Sequence, residues 1–372
     1  MKKINPKIKV VFDGTIFVLQ EYGGISQYII QLFKRLPRGA VEPKIISGIV
    51  VNKYLSQINQ NEFVGMKFHS FPPRTGKIFL LFNFLFTSLK TYFFKPDIIH
   101  ETYYSPLPTM SFGAKRVITI HDMIHEKYPN YFPKSDRSSL RKFAAVKRAD
   151  HIICVSQATK VDLKEIWNVP DDRISVVHHG LTHLPKPQEN ISFDSPFIFF
   201  VGRRGGYKNF SEFVKQYAAH EDLSRNYKVI AFGGGPFSQN EMELFTQLGL
   251  GQDQICQLGG DNKLLSKLYN CASVFVYPSL YEGFGLPLLE AMSCNCPVVT
   301  TRCGSIPEVA GAAAEYCDLD QPDGISVAIW NVLGNAKYSD YLIEQGKKNL
   351  EKFSWDRCAS QTESIYRSLL QC

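Results

Sequence analysis

Short apolar bursts alternate with longer amphipathic stretches along the whole of this 372-residue chain. Such alternation is the mark of βα units, since a strand buried on both faces reads as an apolar run and its crossover as a helical period. In the first half the candidate strands are Lys9–Phe12, Lys44–Ser47, Asp97–His100, Arg116–Ile120, His151–Val155 and Ile174–Val177. In the second they are Phe197–Val201, Val229–Phe232, Ile255–Leu258, Val274–Tyr277, Pro297–Thr300 and Ala314–Tyr316. Between the halves, His183–Asn190 holds two prolines and no apolar period, and reads as a linker. The expected fold class is α/β, two doubly wound domains over residues 1–185 and 190–353. A last helix, capped at Ser354, is expected to run to Leu370.

The chain is 44% hydrophobic and 21% charged, enough apolar material for two buried cores. The apolar stretch Val10–Phe12 is cut at once by Asp13-Gly14, so it reads as a first strand rather than a signal peptide. No run approaches the length of a membrane span. Nine cysteines without a secretion signal fit a reduced, cytoplasmic protein. Cys294, Cys296 and Cys303 cluster, but no histidine lies near them in sequence, and Cys296–Thr301 reads as a strand. They are expected to be core thiols, not metal ligands. Asp318-Leu-Asp320 sits in a turn-rich stretch and reads as a loop, so no metal site is expected.

Charge is unevenly spread. Residues 1–185 hold 26 Lys and Arg against 14 Asp and Glu; the remainder holds 16 against 21. The basic half is expected to meet something anionic, such as a lipid pyrophosphate or the inner face of the cell membrane. No recognition module or aromatic stacking motif supports nucleic acid. The stretch Lys77–Phe94, with six phenylalanines and four leucines, reads as a helix buried against the strand that follows it, with a bilayer interface as the alternative.

The chemistry concentrates just after candidate strands, where doubly wound sheets bind ligands. Glu282-Gly-Phe-Gly-Leu-Pro-Leu-Leu-Glu290 leaves a strand and opens a helix, with Pro287 at its first position. The N–H groups of Gly285 and Leu286 then face outward with the positive end of the helix dipole, a phosphate cradle. The flanking carboxylates suit sugar and ribose hydroxyls. Arg203 and Lys208, on a glycine-rich loop, can both reach one diphosphate, with Arg204 a rival to Arg203. Gly23-Gly24 precedes the helix Ile25–Leu36 and permits close phosphate approach. His121-Asp122 ends another strand. Asp122 either orients the imidazole or caps the next helix. Gly233-Gly-Gly-Pro236 reads as a tight turn.

Taken in order, Gly23-Gly24-Ile25-Ser26, His121-Asp122, the segment 201–209, the Glu282/Glu290 spacing and Ser305-Ile-Pro-Glu308 resemble the retaining group 1 glycosyltransferases of family 4 over nearly the whole chain. The resemblance implies the GT-B fold, two Rossmann-like domains facing across a cleft, with the tail helix, about 354–372, packing back on the first. It implies a UDP- or GDP-sugar donor held by Gly24, Arg203, Lys208, Glu282, Phe284, Gly285, Leu286 and Glu290. His121 would lie beside the transferred sugar, with Glu282, Arg203 and Lys208 completing the catalytic set. No cofactor and no metal is expected. The implied reaction is metal-independent transfer of a hexose, glucose or mannose, to a hydroxyl of a glycan or lipid-linked glycan in surface polysaccharide synthesis. A sugar-nucleotide epimerase and a non-catalytic partner subunit are the alternatives. The expected location is cytoplasmic, peripheral to the membrane.

Overall fold

The computed structural model describes residues 6–71, 75–186 and 193–371. The chain divides into two compact units, Met1–Gly180 with Ser354–Cys372, and Leu181–Phe353. Residues 183–186 have no regular structure; the rest of the expected linker lies outside the described residues.

In the first unit the strands are β1 (Ile8–Asp13), β2 (Val41–Val50), β3 (Phe63–Lys67), β4 (Ile98–Glu101), β5 (Lys115–Ile120), β6 (His151–Cys154) and β7 (Ile174–Val176). They form one parallel sheet in the order β3-β2-β1-β4-β5-β6-β7. In the second unit β8 (Phe197–Val201), β9 (Lys228–Phe232), β10 (Ile255–Leu258), β11 (Val274–Tyr277), β12 (Val298–Thr300) and β13 (Glu315–Tyr316) form another, ordered β10-β9-β8-β11-β12-β13. In each sheet the order reverses beside the first strand. The crevices beyond β1/β4 and β8/β11 are therefore the switch points where ligands bind.

All twelve candidate strands are present within a few residues of their expected limits. The edge strand β3 was not anticipated. Only two short 3-10 turns, Lys53–Gln57 and Gln60–Glu62, separate it from β2, and Gly65 breaks its apolar run. A Cβ at Gly65 would lie 1.8 Å from the Ser47 carbonyl oxygen, so the close pairing of β2 and β3 requires glycine there.

The final helix spans Trp355–Gln371, and the Ser354 hydroxyl accepts from the N–H groups of Asp356 and Arg357 at 3.2 and 3.4 Å. Trp355, Cys358, Ala359 and Tyr366 are buried in the same core as Phe12, Ile29 and Phe33. At its centre the Tyr366 hydroxyl meets Nδ1 of His100 at 2.6 Å, and Nε2 meets Thr119 Oγ1 at 2.9 Å. Thr119 in turn meets the Tyr28 hydroxyl at 3.0 Å. Burial pushes the His100 imidazole down to about 3, so the network is neutral at physiological pH.

The helix Gly76–Phe94 departs from expectation. It packs along β2, with Phe86 and Phe94 against the cluster Val11, Ile46 and Ile99, but only part of its apolar surface is covered. Asn83, Thr87, Ser88 and Thr91 are buried, while Ile78, Leu81, Leu85 and Leu89 face solvent. Asn83 Oδ1 accepts from Ser47 Oγ and the Ile49 N–H, both at 2.9 Å, and its Nδ2 donates to the Ile49 carbonyl at 3.1 Å. Polar residues spaced four apart share the inward face with these rings, so apolar content alone did not show how much of the helix stays exposed. Among the described residues no helix is long and apolar enough to cross a membrane.

Tyr366→Phe leaves the buried His100 Nδ1 without its partner. It is expected to destabilise the protein by about 1–3 kcal/mol, measured by urea unfolding, with the helix content of the folded protein unchanged.

Candidate active site

In the second unit two loops meet beyond the switch point. The first leaves β8 through Gly202, whose φ of 120° lies in the left-handed half of backbone space, and ends in the short turn Gly206–Lys208. The second leaves β11 and runs to the helix Leu286–Ser293. The Leu280 N–H donates to the Tyr207 carbonyl at 2.7 Å, which fastens loop to loop.

Lys208 Nζ lies 2.6 Å from Glu282 Oε1 and 3.1 Å from the Tyr277 hydroxyl, with little exposure of either charged side chain. Burial, reinforced by the adjacent Glu282 carboxylate, pushes the Tyr277 phenol well up, so it stays protonated. A cation, a carboxylate and a phenol thus converge where the two central strands end. Tyr277 was missed by sequence reasoning; its place as the last strand residue before the glutamate loop is the signal that would have found it.

Both arginines after β8 have distinct surroundings. Arg204 is buried, pairs with Glu241 at 2.6 Å, and donates to the carbonyls of Gly233, Gly235 and Pro236 at 2.8, 3.0 and 2.9 Å. The Gly233–Gly235 turn, with three successive positive φ values, is therefore a cage for Arg204. Arg203 is exposed. Of the two rivals, Arg203 is the one whose guanidinium is not committed to this cage.

The helix starts at Leu286, so Pro287 is its second residue rather than its first. Gly285 caps it at φ 100°, ψ 51°, a left-handed conformation that disfavours any side chain. The first N–H groups of a helix have no intrahelical acceptor. The loop is clasped from behind by Ser305, whose Oγ donates to the carbonyls of Glu282 and Phe284 at 3.0 Å each. Gly304 passes so close that a Cβ would lie 2.7 Å from the Glu282 carbonyl oxygen. Phe284 is buried and edge-on to Phe353. Glu290 lies one turn into the helix, where the Tyr269 hydroxyl donates to Oε2 at 3.3 Å. Desolvation raises its carboxyl to about 7, with the Tyr269 hydrogen bond pulling the other way.

His121, Asp122 and Gly24 belong to the first unit. Burial, with Lys142 adding to it against the pull of Asp122, lowers the His121 imidazole to about 4. The ring lies edge-on to Tyr28 and stacked on His179, and its Nε2 is buried without a protein partner. Asp122 accepts from the Ile124 N–H at 3.1 Å and from buried Lys142 at 3.4 Å, so it fixes the next turn. Gly24 opens the helix Gly24–Arg35, and a Cβ there would meet no atom within 4 Å. Nothing within the fold demands glycine at that position.

Among the described residues no group of three or more His, Cys, Asp or Glu could hold a metal ion. Asp318 Oδ1 accepts from the Asp320 N–H at 3.0 Å, a local turn. The eight described cysteines are free.

Two family models match consecutive stretches that together cover most of the chain: Glycosyltransferase Family 4 over residues 22–183, and Glycosyl transferases group 1 over residues 185–349. The chain belongs to the group 1 glycosyltransferases of family 4. O-antigen chain mannosyltransferase B of Escherichia coli is 27% identical, over 97% of this chain and 100% of its own length. Among solved structures, sucrose-phosphate synthase from Thermosynechococcus elongatus superposes with a TM-score of 0.77 at 19% identity, covering 98% of this chain and 100% of that one. Anabaena HepE in complex with UDP and glucose gives 0.74 at 16% identity, covering 97% and 100%. The two parallel sheets are those of the GT-B class.

Arg204→Ala removes the cation paired with Glu241 and a shared donor to three carbonyls, and is expected to cost about 3 kcal/mol. Arg203→Ala is expected to leave the melting temperature unchanged. Thermal unfolding of the two variants separates the structural arginine from the exposed one.

Proposed function

We propose that this group 1 transferase moves a hexose, mannose first among candidates, from a nucleoside diphosphate sugar to a hydroxyl of a growing surface glycan, with retention at C1. The observation that carries this reading is the convergence of Lys208, Glu282 and Tyr277 with a glycine-capped helix start at the switch point of the second sheet. The full-length likeness to a mannosyltransferase of O-antigen chains supports mannose and a glycan acceptor. The first unit's basic balance suits a lipid-linked form of that acceptor.

The donor diphosphate would take the N–H groups at Gly285 and Leu286 and the cations Arg203 and Lys208. Lys208 would turn from Glu282 to the phosphates, freeing the Glu282 carboxylate for sugar hydroxyls. The bond from C1 to the leaving phosphate oxygen breaks with its electron pair going to the diphosphate. The acceptor oxygen bonds C1 on the same face, and its proton passes to that phosphate oxygen. Cations and helix-start dipoles beside the growing negative charge would supply the stabilisation. His121, neutral well below physiological pH, would meet sugar hydroxyls without opposing the positive charge that grows at C1. Glu290 would hold the ribose.

Two cations and a helix start would balance the diphosphate charge without a divalent ion. Transfer is therefore expected to persist in excess chelator; complete loss, restored by magnesium or manganese, would refute this part. The primary test is radiolabelled transfer from GDP-mannose, UDP-glucose and their relatives to lipid-extracted acceptor. Failure of every donor to shift the melting temperature would count against the reading as a whole.

The two glutamates are expected to fail differently. Glu290→Gln removes charged hydrogen bonds to ribose worth about 1.5–3 kcal/mol, which raises KM with little change in kcat. Its carboxyl titrates at about 7 in the free protein. Wild-type affinity for an intact nucleotide sugar should then fall as pH drops below that value, because a proton must leave before the ribose is bound. The Gln variant should show no such slope. Glu282→Gln should lower kcat about a hundredfold and leave nucleoside diphosphate affinity undiminished, since it also releases Lys208. Calorimetry and turnover on both variants decide; loss of nucleotide affinity in Glu282→Gln alone would reverse the two roles.

A further inference from the structure

The helix Gly76–Phe94 is apolar on two sides. Its inward side combines Leu80, Phe86 and Phe94, packed against core residues, with polar groups spent on the protein, through the Asn83 contacts to β2 and through Ser88 Oγ, which accepts from the Met110 N–H at 3.2 Å. Its outward stripe, Ile78, Leu81, Leu85, Leu89, Tyr92 and Phe93, follows helical spacing, and exposures reach 70% at Phe93. The stripe continues off the helix: Phe112 is edge-on to Tyr92 at 5.3 Å, and both Met110 and Phe112 are exposed. A contiguous exposed apolar patch of this kind marks an interaction surface.

Charge selects the occupant. Residues 63–96 contain five Lys and Arg and no Asp or Glu. Lys67, Lys90 and Lys95 are exposed, and Lys44 lies 4.7 Å from the Phe94 ring at the helix end. A twofold dimer would press this patch on its own copy and set lysines against lysines with no carboxylate in the segment. Apolar side chains flanked by lysines match an anionic bilayer, whose headgroups take the cations while the hydrocarbon boundary takes the stripe. We infer that the outward face of the helix Gly76–Phe94, with Met110 and Phe112, is a docking surface for an anionic phospholipid bilayer, lying in the interface without crossing it. This inference is independent of which sugar is transferred, because vesicle binding requires no donor.

The test is cosedimentation of the full chain with phosphatidylglycerol/phosphatidylcholine vesicles and with phosphatidylcholine alone. The wild type is expected to bind the anionic vesicles, less tightly at high salt, and to bind neutral ones weakly. Leu85→Gln with Leu89→Gln should lower partition about tenfold or more. Lys90→Glu with Lys95→Glu, which keeps the apolar stripe, should lower binding to the anionic vesicles alone. Circular dichroism and the melting temperature of each variant establish that it is folded. Wild-type binding equal on both vesicle types, or Gln variants that bind like the wild type, would overturn the inference. So would a wild-type dimer that the Gln variants convert to monomer in sedimentation velocity without changing vesicle binding.

Discussion

A parallel sheet wound in both directions has one place where the loops leaving neighbouring strands part, and the second unit closes that gap with an ion pair. Lys208 and Glu282 are held 2.6 Å apart although 74 residues separate them in the chain. Each is fixed from its own side. Lys208 rides on the turn that follows β8, tied through the Tyr207 carbonyl to Leu280. Glu282 sits on a loop braced by Ser305 from behind and by Thr301, whose Oγ1 donates to the Ser279 carbonyl at 2.6 Å. The pair is thus held from both sides by contacts within the unit.

The first unit is organised by a different device. Tyr366, His100, Thr119 and Tyr28 form a buried chain of neutral hydrogen bonds that joins the last helix to β4, β5 and the helix Gly24–Arg35. Tyr28 also lies edge-on to His121. The imidazole carried on the strand end is thus positioned by the same packing that anchors the chain terminus. Since burial lowers both His100 and His121, these two imidazoles bind more protons in the unfolded chain than in the folded one between about pH 4 and 6.5. Their contribution to stability therefore falls as the pH falls through that window.

Strands buried on both faces are legible because their apolar runs have no other explanation, and most of the foreseen strands are of that kind, although β7, β10 and β13 are partly exposed. β3 escaped because it is half-exposed and interrupted by Gly65, so neither continuity nor alternation marks it. The helix Gly76–Phe94 was visible as a helix but not in its orientation. Its count of phenylalanines masked Asn83, Thr87 and Thr91, whose four-residue spacing shows which side meets the sheet. In the site, the glycines, glutamates and cations stood out one by one. What sequence order does not carry is pairing: that Lys208 meets Glu282, or that Arg204 is caged by Gly233–Pro236, depends on register between strands far apart in the chain.

Two carboxylates eight positions apart come to have opposite surroundings. Glu282 faces a lysine, whereas Glu290 faces only the neutral Tyr269 hydroxyl and is desolvated by the helix and strand around it. For Glu290 the folded value, about 7, lies above the ordinary glutamate range. The folded state then binds more protons than the unfolded state between about 4.5 and 7, and this group's contribution to stability is lost as pH rises through that window. A ligand whose hydroxyls donate to the carboxylate returns what desolvation removed, so binding and ionisation at Glu290 favour one another. Under the proposed reading, the helix start and the carboxylate one turn behind it would meet phosphate and ribose by opposite means: backbone donors for the anion, and a desolvated acceptor for the neutral hydroxyls.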